Sequence, residues 1–138
     1  MLLSEKAIVK IGETGIMHPI RLSDVNHSEK TLTQAVLQIT QMLGIYHAEL
    51  ARVLHVQCAD IGELSNAEKN ILKNTVAWSE AEKYIKLYEN LYKLHAGDEP
   101  LINNWLRKKN KHLQAVPLYL MVDELRIDDV LDVPEIKA

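Results

Sequence analysis

The sequence predicts an all-α fold, and three observations predict it. Only five glycines and four prolines interrupt 138 residues. Beyond residue 30 the apolar residues recur at spacings of three and four, and the β-branched ones are not gathered into alternating runs. Phenylalanine is absent, so Leu, Ile, Val and Ala carry most of the 47% apolar content, against 25% charged residues. That balance is the composition of one ordinary globular domain with a single core and at most a small second subdomain.

Residues 1–28 differ from the rest. Ala7, Val9 and Ile11 alternate with Ile8 and Lys10, then Gly12, Gly15, Pro19 and a polar run to Ser28 follow, which reads as an arm or short hairpin. Thr31 with Gln34 forms a capping box, and Leu32, Ala35, Val36, Ile39, Met42 and Leu43 continue at helical spacing, so a first helix is expected over 31–43, stopped by Gly44. A short helix over 47–56 buries Leu50, Ala51 and Leu54, and another from about Gln57 to Leu64 turns Ile61 and Leu64 inward. Two short helices so tightly joined have a helix-turn-helix shape.

Ser65 or Asn66 then caps a helix over 67–75, and Ser79 with Glu82 opens a longer one to His95. Its stripe of Ala81, Tyr84, Ile85, Leu87, Tyr88, Leu91 and Tyr92 is wide enough to need more than one neighbour, which predicts a homodimer. Gly97 ends it. Asp98 and Pro100 start the next helix, with Leu101, Ile102, Trp105 and Leu106 on the buried side and Asn110 as a left-handed exit. Pro117 begins 117–122, and a last short helix runs over 127–131, leaving Val133 to Ala138 as an exposed end of a length suited to docking in a groove.

Charge and motifs narrow the function classes. Sixteen Lys and Arg against nineteen Asp and Glu give a net charge of −3, so nucleic-acid binding would need a local patch. The single cysteine, Cys58, excludes a disulfide framework and any paired-cysteine metal site, and is expected to be a small buried thiol. The opening lacks a signal peptide's apolar stretch and nothing approaches a membrane span, so a cytoplasmic, non-membrane protein is expected. There is no phosphate loop, no His-Glu-x-x-His helix and no glycine-flanked serine, and none of the six histidines pairs with another at helical spacing. No enzyme activity, metal or cofactor is expected.

The run from Leu50 to Leu64 places Leu50, Ala51, Leu54, Val56 and Ile61 where packing requires them in the helix-turn-helix of Xre-type repressors, which it resembles. In such a fold Gln57, Cys58, Asp60 and Glu63 would face base edges, and Arg52, Lys69 and Lys73 are candidates for phosphates. The chemistry opposes this, because no Lys or Arg stands between Gln57 and Ser65 while two carboxylates do.

Further on, Trp105, Leu106, Asn110, Leu113, Pro117 and Leu118, followed by Val130 and Leu131, resemble the toxin-binding domain of Xre/MbcA/ParS-type antitoxins. Gln114 and Ala115 replace the usual glycines and Lys109 a common proline. Read from packing alone, Trp105 and Leu106 are core anchors and Asn110 a helix exit. After the N-terminal arm over 1–28, the resemblance implies an Xre-like helix-turn-helix helical domain over 29–95 and a small helical toxin-binding domain over 96–138. It further implies an antitoxin that blocks a cognate NAD-consuming toxin, RES-type or ADP-ribosyl-transferring, and acts as a homodimer, with operator DNA as a further partner. Toxin contacts would fall to Trp105, Arg107, Lys108, Asn110, Lys111, Leu113, Pro117, Ile136, Lys137 and Ala138, and DNA contacts to Arg52, Gln57, Cys58 and Asp60. A stand-alone transcriptional regulator and an orphan adaptor are the alternatives.

Overall fold

Ser28 opens the first helix, its Oγ accepting from the Thr31 amide at 3.0 Å, so helix α1 spans Glu29–Met42 and starts two residues before the expected Thr31. The computed structural model describes residues 28–137. The arm expected over 1–28 therefore lies, apart from Ser28, outside the described residues, as does Ala138. Every regular element among the described residues is helical: α2 (His47–Leu54), α3 (Cys58–Ser65), α4 (Val76–Leu94), α5 (Glu99–Arg107), α6 (Pro117–Val122), α7 (Ile127–Leu131) and α8 (Pro134–Lys137) follow α1.

The first three helices close in the same way. Gly44 (φ +65°) sends its amide to Gln41 O at 3.1 Å while Ile45 bonds Thr40 O at 3.0 Å, a Schellman closure. His55 (φ +62°) and Ala67 (φ +62°) end α2 and α3 with the same pair of bonds although neither is glycine. The short segment between α2 and α3 keeps the two helices tightly joined, with Leu50, Leu54 and Ile61 wholly buried.

No helix forms over 67–75, contrary to the sequence expectation. The amide of Ile71 donates to Thr33 Oγ1 at 2.9 Å and that of Lys73 to Glu29 Oε2 at 2.8 Å. Side chains of α1 thus take amides that a helix would have sent to its own carbonyls. With Asn74 also left-handed (φ +68°), α4 is capped by Thr75, whose Oγ1 accepts from Trp78 at 3.1 Å. Ser79 therefore sits inside α4 rather than at its start.

Helix α4 is the central strut, about 28 Å long at 1.5 Å per residue, and it touches α1, α2, α5, α7 and α8. Ala81, Tyr84, Ile85, Leu87, Tyr88 and Leu91 are all buried within the subunit. The broad stripe expected to need a second copy finds its several neighbours in the same chain, and its breadth calls for no homodimer. The Tyr84 hydroxyl pairs with Thr40 Oγ1 at 2.8 Å and burial raises its pKa. At the C-terminus of α4, Gly97 (φ +78°) lies over Tyr92, and a Cβ there would meet that ring and hydroxyl at 3.0 Å. The left-handed angle and the close approach both require glycine.

Asp98 caps α5 through the Leu101 amide at 3.3 Å, with Pro100 in the first turn as the sequence indicates. Ile102 and Leu106 define the buried face, whereas Leu101, one step round the helix, is 48% exposed and Trp105 is half-buried. Helix α7 occupies the expected residues. The tail is the larger departure: instead of an exposed end, Pro134–Lys137 forms α8, and Val133 and Ile136 join the core at 2% exposure each. One set of buried apolar residues runs continuously from Leu32 to Ile136.

Candidate functional site

Residues 108–116, between α5 and α6, form a tightly organised loop. The Asn110 amide donates to Ala115 O at 2.9 Å and the Gln114 amide to Asn110 O at 2.8 Å, closing an isolated antiparallel bridge. Asn110 is not the left-handed helix exit expected of it, because α5 already stops at Arg107. Its buried side chain is the loop's organiser: Oδ1 accepts from the amides of His112 at 2.8 Å and Leu113 at 3.2 Å. The left-handed residue is Gln114 (φ +57°).

The tail helix is latched to this loop by one carboxylate. Glu135 accepts from Trp105 Nε1 at 2.9 Å and from Asn110 Nδ2 at 3.5 Å, and its other oxygen lies 3.6 Å from His112 Nε2. Trp105 and the tail, both expected to meet a partner, thus meet each other. Ile136 is a core residue and offers no surface to a toxin, because α8 turns it onto α4. Pro117 is buried as well, as the first residue of α6. Lys137 is exposed and 3.8 Å from Asp132.

Arg107 also has a structural task. Its Nη2 donates to Leu43 O at 2.7 Å and its Nη1 to Asn103 Oδ1 at 2.7 Å, so its charge sits against the carbonyls at the C-terminus of α1. Lys108, Lys109 and Lys111 differ. All three are exposed and carry no ion pair or side-chain hydrogen bond among the described residues. Leu113 packs half-buried under the loop. The loop is thus internally fixed and externally cationic.

The α2–α3 pair presents the opposite case. Lys69 lies 2.9 Å from Asp60 and 2.7 Å from Glu63, so the two carboxylates of α3 share one lysine. The hydrogen bond from Lys69, with one from the Gln57 amide, lowers the Asp60 pKa, and the two carboxylates raise that of Lys69. Asp60 is also half of a capping interaction, accepting from the Gln57 amide at 2.9 Å. Arg52, expected at phosphates, instead donates from Nε to Val122 O at 2.6 Å and from Nη2 to Asp123 O at 3.2 Å, fastening α2 to the end of α6. Gln57 is exposed at the start of α3, and Cys58, expected to be buried, is exposed there too.

Sequence reasoning missed Glu135, the acceptor on which three side chains converge. Its only sequence signal is its place one residue after Pro134, which starts a helix. It also missed that Arg52 and Arg107 act as carbonyl clamps across separations of 70 and 64 residues. Among the described residues no group of three or more His, Cys, Asp or Glu side chains could hold a metal, and no helix is long and apolar enough to cross a membrane. Comparison with protein-family models returns no match for this chain, and comparison with curated proteins returns none.

Proposed function

We propose that this chain is a non-catalytic binding protein similar to the Xre/MbcA/ParS-type antitoxins, which holds a cognate NAD-consuming toxin of the RES or ADP-ribosyl-transferring type in an inactive complex. The observation that carries the reading is the 108–116 loop. Its backbone is fixed by Asn110, and three lysines project from it unpaired. A rigid scaffold that leaves cations unmatched is suited to recognition, since the ordering cost is met in folding and not on binding. Two details agree with the resemblance: Gln114 is left-handed where that family has glycine, and Asn110 organises the loop that follows the Trp-Leu pair.

Inhibition on this reading is steric, with the loop and its surroundings covering the toxin's active site. Of the expected toxin contacts, Lys108, Lys111, Lys137 and the accessible parts of Trp105, Arg107 and Leu113 stay open to a partner, while Asn110, Ile136 and Pro117 act by holding the scaffold. Repression of the chain's own promoter by α2 and α3 draws no support from Asp60 and Glu63, two carboxylates that hold one lysine between them, or from Arg52, whose guanidinium is held on the carbonyls of Val122 and Asp123. The test is to express the chain with the protein encoded beside its gene, then measure complex formation and cellular NAD. A stable complex with NAD preserved is expected. No complex, with NAD unaffected by the chain, would overturn the reading.

A further inference from the structure

Between α2 and α6 lies an open groove of about 460 Å³. Its apolar wall is Val116, Leu118, Tyr119 and Val122, and Tyr119 remains 54% exposed although it lies on an otherwise buried helix. Arg52 and Arg107 flank the groove, each held by hydrogen bonds to backbone carbonyls and neither paired with a carboxylate among the described residues. The loop with Lys108, Lys109 and Lys111 begins at one wall residue, Arg107, and ends at another, Val116. Two acids also line the groove. Glu49 is turned to the Tyr46 amide at 2.9 Å at the start of α2, and Asp123 stands where α6 ends. Within the lining the two arginines balance these two carboxylates, and the three exposed lysines of the adjoining loop make the groove's surroundings net positive.

From this charge balance we infer that the groove is a docking site for an acidic segment of another protein carrying an apolar or aromatic anchor. The anchor lies against Tyr119 and Leu118, and the flanking carboxylates meet Lys108, Lys111 and the free donors of the arginines. Exposed Tyr and Arg beside a hollow are the residue types that dominate interface energies. The acids of this chain's own C-terminal region do not fit the role. Asp128 is paired with Lys83 at 3.2 Å, Glu124 and Asp129 with Arg126 at 3.4 and 2.6 Å, and Glu135 is held by Trp105. The C-terminal region of a second copy would have to break these pairs to reach the groove. The inference rests on the protein-binding reading above but names a surface and a partner chemistry that the resemblance does not.

The experiment selects random phage-displayed dodecapeptides against the full chain, then titrates the enriched sequence as a synthetic peptide. Enriched peptides are expected to carry Asp or Glu around an aliphatic or aromatic residue. Their affinity should fall with added salt, and by about tenfold in Tyr119→Ser and in Lys108→Glu/Lys111→Glu. Both variants alter exposed side chains, and a retained helical spectrum checks their fold. Enrichment of basic or uncharged peptides, no enrichment at all, or equal binding to wild type and variants overturns the inference. So does tighter binding of random duplex DNA at the same loop, or self-association of the chain that these substitutions abolish. Failure of the neighbour-encoded toxin to bind while acidic peptides do removes the antitoxin reading and leaves the groove; a toxin that binds wild type and variants alike does the reverse.

Discussion

The α2–α3 pair and the α5–α6 loop are both short and rich in charge, yet they treat charge in opposite ways. On α3, Asp60 and Glu63 hold Lys69 between them and the helix has no cation of its own, so the surface expected to read DNA stays net acidic. On the loop, Asn110 satisfies the backbone and leaves Lys108, Lys109 and Lys111 unmatched. Charges matched inside a subunit contribute little to recognition, whereas unmatched charges on a fixed backbone are available to a partner. Two short, tightly joined helices therefore do not by themselves identify a recognition surface.

The largest effect is expected from loosening what holds the loop side together. Ile136→Ala is expected to lower stability by about 3 kcal/mol, the cost typical of truncating a buried aliphatic residue, because α8 is part of the core. Urea denaturation measures it, and an unchanged midpoint would mean that the tail is a free end after all. Asn110→Ala should cost about 2 kcal/mol, since two backbone amides lose their buried acceptor and Glu135 loses a donor. Hydrogen exchange should then quicken at His112 and Leu113 and not in α2 or α3.

A subtler effect follows from His95. Its Nε2 is buried without a partner, and burial lowers its pKa from 6.5 against the opposing pull of Asp98 and Glu135. Between the folded and unfolded values the unfolded chain binds the extra proton, so stability rises with pH there. Stability is accordingly at its full value above pH 6.5 and declines as the pH falls below it. Urea midpoints measured across that range should show this decline in wild type and a shallower one in His95→Gln. The smallest effect is expected at Lys69→Ala, which removes the match for Asp60 and Glu63 on a solvent-exposed face. Its unfolding midpoint should equal that of wild type, and a clear loss would mean that the ion pairs hold α3 in place.

Much of this architecture was legible in the sequence, and the exceptions share a cause. Helices α2, α3, α5, α6 and α7 announce themselves through local signals: apolar spacing, the Asp98 cap, Pro100 and Pro117 at first turns. The segment over 67–75 has a plausible cap and fails to be a helix because Thr33 and Glu29, some forty residues earlier, take its amides. The four-residue α8 is too short to show a period, and Val133 and Ile136 become core residues only once α4 is in place. Lys108, Lys109 and Lys111 stand out as a cluster in the sequence. That they are unpaired while Arg107 is engaged depends on where the C-terminus of α1 comes to rest.

The most direct test is hydrogen exchange on the complex formed with the neighbour-encoded protein. Protection concentrated in residues 107–122, with α3 exchanging as in the free chain, is the predicted result. Protection confined to residues 57–66, with the α5–α6 loop unchanged, would contradict the account.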